Sequence, residues 1–144
     1  MSSFDVEPFS GWCCDECGET IEAACDGWVE WRERDGVLHD FRIVHHESAS
    51  PRGDVGCYGD DIAGNMLMEE TLGVDGLAWL LGVLAKAEVE RVQFAEFVRR
   101  LHIPFYELAR NHPVDPISYE LNGVREYTQA GILAKLRMHT VNGE

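Results

Sequence analysis

An α+β fold follows from three features of the sequence. Residues 27–45 contain two runs rich in β-branched and aromatic side chains, separated by Asp35-Gly36, which together signal a hairpin. Beyond residue 61 apolar residues recur at helical spacing instead. All five cysteines fall within the first 57 residues, and a His45-His46 pair closes the second strand-like run. The expected architecture is a metal-stapled β-hairpin unit over residues 1–60, packed on a small C-terminal helical bundle over residues 61–144. At 144 residues and 45% hydrophobic content, the two units have enough apolar material to form one compact domain together.

Residues 1–12 read as an irregular lead-in, with Phe4, Phe9 and Trp12 available to pack back. Cys14-Asp15-Glu16-Cys17-Gly18 is a tight turn, and residues 19–24 form a strand or a short turn. Residues 27–33 and 37–45 are the two strands of the hairpin. Trp28 and Trp31 fall on opposite faces, so one is expected near the cysteines and the other against the helices. The Ser-, Pro- and Gly-rich stretch 47–59 is a polar loop and the expected mobile element.

The helical part begins with a candidate over 61–72. Asp75 can cap a helix running through 87, with Leu77, Leu80, Leu81 and Leu84 on one stripe. A second helix over 89–101 carries Phe94, Phe97, Val98 and Leu101 at i, i+3, i+4 and i+7. Pro104 suits the first turn of a third, short helix ending near His112. A last helix over 128–138 has Ile132, Leu133 and Leu136 as its apolar face.

The cysteine and histidine spacing points to a metal. Two cysteines two residues apart, followed by Gly18, let one tight turn aim both thiolates at a single ion. A histidine and Cys57 follow after one hairpin, which would fold them back onto the first pair. Cys14, Cys17, one of His45 or His46, and Cys57 would complete a closed Cys3His site. Such a site is characteristic of structural Zn2+, because no position is left for water. Strand alternation puts Phe41, Ile43 and His45 on one face and Arg42, Val44 and His46 on the other, and both histidines stay candidates. The loop 47–56 is longer than a compact second ligand knuckle. Cys13 and Cys25 are read as spare or buried thiols, with Cys25 a substitute ligand at most. An odd cysteine count with a CxxCG pattern favours metal over disulfides.

Charge is distributed unevenly. Residues 1–61 hold fifteen Asp or Glu against four Arg, within a chain whose formal net charge is −14. That sign disfavours direct nucleic-acid binding, which needs cations facing phosphates. It favours a basic protein surface as partner, a nucleic-acid-binding protein among them. The longest apolar stretch, 77–85, is too short to span a bilayer. The acidic start Met-Ser-Ser-Phe-Asp lacks a signal-peptide run, so a soluble, cytoplasmic protein is expected.

Motifs for catalysis are missing in recognisable form. The deaminase order His-x-Glu before Pro-Cys-x-x-Cys is not met, and His45-His46-Glu47 on a strand end is not a helical His-Glu-x-x-His. No phosphate-binding GxxxxGK[ST] and no Gly-x-Ser-x-Gly occurs. Cys25 with His39 is a conceivable nucleophile pair without context. Asp60-Asp61 with Glu69-Glu70 reads as a solvated helix start, and His102 and His112 as packing or capping residues.

The segments CDECG, GWVEW, FRIVHH, DGLAWLL and FVRRLHIPFYELAR resemble small bacterial proteins with an N-terminal zinc-ribbon-like segment. The resemblance spans most of the chain except about the last thirty residues and implies no particular activity. The expected function is therefore a non-catalytic, acidic, zinc-stabilised interaction module. An inhibitor or regulator of defence or transcription machinery, anti-CRISPR-like, fits that description, as does a toxin–antitoxin or adaptor partner. The alternative is a metal-dependent hydrolase with an open zinc site of Cys14, Cys17, one histidine and water.

Overall fold

The computed structural model describes Phe9 and residues 11–52 and 55–110. The chain divides into two compact units, one formed by residues 11–102 and the other by residues 1–10 with 103–144. The boundary expected at residue 60 therefore falls inside the first unit. The expected helix 128–138, the stretch around His112 and the position of Phe4 lie outside the described residues.

The unit 11–102 is built on a hairpin. Strand β3 (Gly27–Arg34) pairs antiparallel with β4 (Val37–His45), preceded by the small ladder of β1 (Trp12–Cys13) and β2 (Thr20–Ile21). Asp35 and Gly36 both take positive φ, 53° and 83°, which matches the right-handed twist of the strands they join. The register slips between Glu30 and Arg32, a bulge that lets strictly alternating faces change over. Beyond it Ile43, Val44 and His45 pair in regular register with Val29, Trp28 and Gly27, and all three are buried, so this end of β4 is covered on both faces.

The sheet does not stop at the hairpin. Strand β5 (Gly64–Leu67) adds antiparallel to β3, and β6 (Glu88–Val89) adds parallel to β4, giving the order β5-β3-β4-β6. This corrects the helix expected over 61–72: the segment is β5 followed by a 3-10 turn, Met68–Thr71. Gly64 and Asn65 are weak helix formers, and the open edge of β3 presents unpaired backbone groups that four extended residues can satisfy.

Helix α1 (Gly73–Lys86) begins two residues before Asp75, with Leu72 at its N-cap and no side-chain cap. Asp75 thus sits in the first turn, where its charge faces the positive helix end, rather than capping it. Only Leu80 of the expected leucine stripe is buried, whereas Leu77, Leu81 and Leu84 are 38%, 56% and 51% exposed. The reason lies in the sequence itself, since GLAWLLGVLA is apolar on nearly every side and its periodicity does not select a face. The face that packs inward is the one bearing Gly76, Leu80 and Trp79, the last with its ring 5.7 Å from that of Trp31.

Helix α2 (Arg91–His102) follows the expected pattern, with Phe94, Phe97 and Leu101 buried and Val98 packed against the core. Glu90 caps it, its carboxylate accepting the Gln93 N–H at 2.8 Å. Phe41 of β4 lies 5.2 Å and 5.3 Å, centre to centre, from Phe94 and Phe97. His102 Nε2 donates to the Thr71 carbonyl at 2.7 Å, a packing role as expected. In the other unit, α3 (Tyr106–Arg110) follows Pro104 and buries Tyr106 and Ala109 with Ile103, Phe105 and Leu108 around them. No helix among the described residues is long and apolar enough to cross a membrane.

Candidate metal centre

The turn between β1 and β2 delivers the first two cysteines. Gly18 N–H donates to the Cys14 carbonyl at 3.0 Å, and Cys14 N–H donates to the Glu19 carbonyl at 2.9 Å, so the chain reverses around the sulfurs. Gly18 adopts φ +83°, which a side chain at this position would oppose. The Glu16 N–H points at Cys14 Sγ from 3.4 Å, an amide donor aimed at a thiolate.

The other half comes from the end of β4 and the loop after it. His45 is buried, and Cys57 N–H donates to the His45 carbonyl at 3.2 Å, which brings the loop back to its own start. The long loop is tied down on the way: Glu47 N–H donates to the Tyr58 hydroxyl at 2.9 Å, and Ser50 Oγ lies 3.6 Å from Cys57 Sγ.

Cys14, Cys17, His45 and Cys57 then present one donor atom each, all within 4.8 Å of one another. His45 Nδ1 is 3.4 Å from Cys17 Sγ and 3.8 Å from Cys57 Sγ. The edges of a tetrahedron with metal–sulfur and metal–nitrogen bonds of the usual length are roughly 3.5–3.8 Å. All five cysteines are free of disulfides. The four residues are therefore a group that could hold a metal ion.

The hydrogen bond behind His45 fixes its chemistry. Nε2 lies 3.1 Å from the Thr20 carbonyl, which can only accept, so Nε2 carries the proton and the Nδ1 lone pair faces the thiols. Burial works to raise the Cys14 thiol, but the N–H groups of Cys17, Glu16 and His45 outweigh it and bring it down to about 7. Burial and the neighbouring Cys14 sulfur push Cys17 up to about 11. One thiolate forms readily, and the next forms against its charge; a bound cation relieves that conflict.

The residues between the two cysteines clamp the turn to the rest of the unit. Asp15 N–H donates to the Ile43 carbonyl at 2.8 Å, while Asp15 Oδ2 accepts the Ile43 N–H and Arg100 Nη1, both at 2.8 Å. Arg100 is 3% exposed and also donates to the Cys13 carbonyl at 2.9 Å. Glu16 pairs with Arg42 at 3.0 Å and Arg52 at 3.5 Å. Arg42 in turn reaches Glu30 at 3.0 Å and the Cys57 carbonyl at 3.3 Å. Although burial disfavours its charge, the hydrogen bond it donates to Glu16 and the attraction of Glu30 raise the Arg42 pKa further. Glu30, 1% exposed, completes its shell with the Gly59 N–H at 3.0 Å.

Of the histidine pair, His45 brings a ring nitrogen into the cluster and His46 does not. His46 Nδ1 accepts the Ser48 N–H at 3.1 Å, and its ring packs 5.5 Å from Trp28, which also meets Tyr58 at 5.3 Å. The turn starting at His46 aims its ring away from the sulfurs. Cys57 brings a fourth donor into the group. Cys25 is exposed beside Asp26, and His39 lies against Asp40 at 3.3 Å, so neither joins the other as a nucleophile pair. Among the described residues, Asp60, Asp61, Glu69 and Glu70 belong to no metal-ligating group.

Sequence reasoning missed Asp15, Thr20, Glu30, Arg42 and Arg100. Arg42, flanked by Phe41 and Ile43 in an apolar strand, was the available signal, because a cation there must find acids. Against known proteins, the chain matches no family model, no curated protein and no solved structure.

Proposed function

We propose that Cys14, Cys17, His45 and Cys57 bind Zn2+ in a closed Cys3His shell, and that the protein is a non-catalytic interaction module organised by this staple. The observation that carries the reading is the His45 lone pair, set by the Thr20 carbonyl and aimed at three thiols. A soft sulfur-rich donor set of four suits zinc. Cys14, Cys57 and His45 are all buried, which fits a structural ion rather than a reacting one. The hairpin unit is zinc-ribbon-like in this reading.

The module's surface suits a basic protein partner. Asp15, Glu16 and Glu30 are neutralised internally by Arg100, Arg42 and Arg52. Glu19, Glu22, Glu33, Asp35, Glu47, Asp60 and Asp61 are exposed. They can face the cationic groove of a nucleic-acid-binding protein and occupy it, as an inhibitor or regulator would.

Two measurements test this. Elemental analysis with X-ray absorption should find one zinc with three sulfur and one nitrogen neighbours; a water oxygen in the shell would overturn the non-catalytic reading. Binding to the partner that co-purifies with the protein should weaken steeply with added salt, and a flat salt profile would reject electrostatic docking.

A further inference from the structure

The outward side of α1 is an apolar surface on an otherwise acidic chain. Val74 is 84% exposed, and Leu77, Leu81 and Leu84 are open with it. With 3.6 residues per turn, Val74, Ala78, Leu81 and Ala85 run down the middle of this side. Leu77 and Leu84 form one flank, and Asp75 and Lys86 the other. Next to the leucine flank lies an open groove of about 280 Å³, lined by Leu80, Val89, Phe94 and Val98 among others. A contiguous apolar patch of this kind marks an interaction site.

We propose that this side of α1 is the contact between two copies of the chain, packed antiparallel about a two-fold axis. The charges select that occupant. The chain carries a formal net charge of −14, so two copies repel over most of their surface. Helix α1 does not share that acidic excess, since it holds one acid, Asp75, and one base, Lys86, in its first and last turns. An antiparallel two-fold places Asp75 of one copy beside Lys86 of the other, twice. The same register sets Leu77 opposite Leu84 and brings the two Leu81 side chains together near the axis. Isologous contacts require such self-complementarity, because each residue meets its partner in both directions. Ala78 and Ala85 in the middle row let the helices approach closely. A basic partner gains nothing on this face, where acids are not in excess, and is served better by the exposed carboxylates elsewhere.

Sedimentation of the full-length, reduced, zinc-loaded protein over a wide concentration series tests the proposal. The parent should be a dimer that tightens as salt screens the like net charges. Leu81→Glu should weaken dimerisation at least tenfold while leaving zinc content and the circular dichroism spectrum unchanged. Asp75→Lys and Lys86→Asp should each weaken it, and the double variant should recover most of the loss. A parent that stays monomeric throughout would overturn the proposal, as would a double variant no better than either single one. A Leu81→Glu protein that melts lower without changing its mass would show the face covered within one chain, which also overturns it.

Discussion

Around the Cys/His centre nearly every polar group has a partner, whereas along α1 a row of apolar side chains faces solvent. Both regions depart from the simplest expectation in opposite directions. The acidic turn, read from the sequence only as a tight ligand-bearing turn, is tied by Asp15 to β4 and α2, and by Glu16 to Arg42 and Arg52. The leucine-rich helix looked like core and buries Leu80 but not Leu77, Leu81 or Leu84. The contrast teaches that burial follows what an element can be docked against, rather than its composition. The turn is clamped because its backbone completes β4, and α1 remains open because one of its sides already suffices to seat it. Among the described residues, Trp28 Nε1 is the buried side-chain nitrogen or oxygen without a partner, and it lies beside His46 and Tyr58, just past the ligands.

The sharpest way to break this contrast is to remove a donor. Cys57→Ser should abolish stoichiometric metal and cost about 4–5 kcal/mol, as a lost metal site does. Thermal melting with and without a strong chelator reads this directly, and a chelator-insensitive melt would mean that the centre holds nothing together. Next in size is the clamp. Asp15→Ala leaves Arg100 buried without its carboxylate and should cost roughly 2–3 kcal/mol in urea denaturation. The matching change on the open side, Leu81→Gln, should move stability by less than about 0.5 kcal/mol when measured well below the dimer concentration.

Protons compete with metal for the thiols, so pH tunes the centre in a defined direction. Cys14 loses its proton near 7 in the metal-free protein and Cys17 only near 11. Metal affinity should therefore rise with pH, by about tenfold per unit for each thiol still protonated in the free protein, and continue rising above pH 8. Competition with a coloured chelator at several pH values measures it, and a profile that levels off at pH 7 would contradict the Cys17 value. The smallest effect separates the two histidines. His46→Ala should leave metal stoichiometry intact and cost under about 1 kcal/mol, while His45→Ala should lose the metal. Equal losses from the two would mean that His46 also serves the ion.

Several elements were readable because their signals are local. The Asp35-Gly36 turn, the strands on either side and the Phe94–Phe97–Leu101 stripe each depend on residues a few positions apart. Strand β5 was not readable, since Gly64–Leu67 becomes a strand only because the edge of β3 is open beside it. The choice of His45 over His46 was equally hidden, resting on the Thr20 carbonyl from another strand.

The spacing of Cys14, Cys17, the two histidines and Cys57 was enough to nominate the donor set, because short-range turns and one hairpin limit how far those residues can stray. Whether the lone pair of His45 faces the thiols, which groups Asp15 is tied to, and which side of α1 is left open were decided by contacts between segments up to 85 residues apart. Side-chain patterning encodes local geometry within a few residues. Partner choice across such separations is a property of the assembled backbone, which alone determines which donors and apolar faces remain to be satisfied.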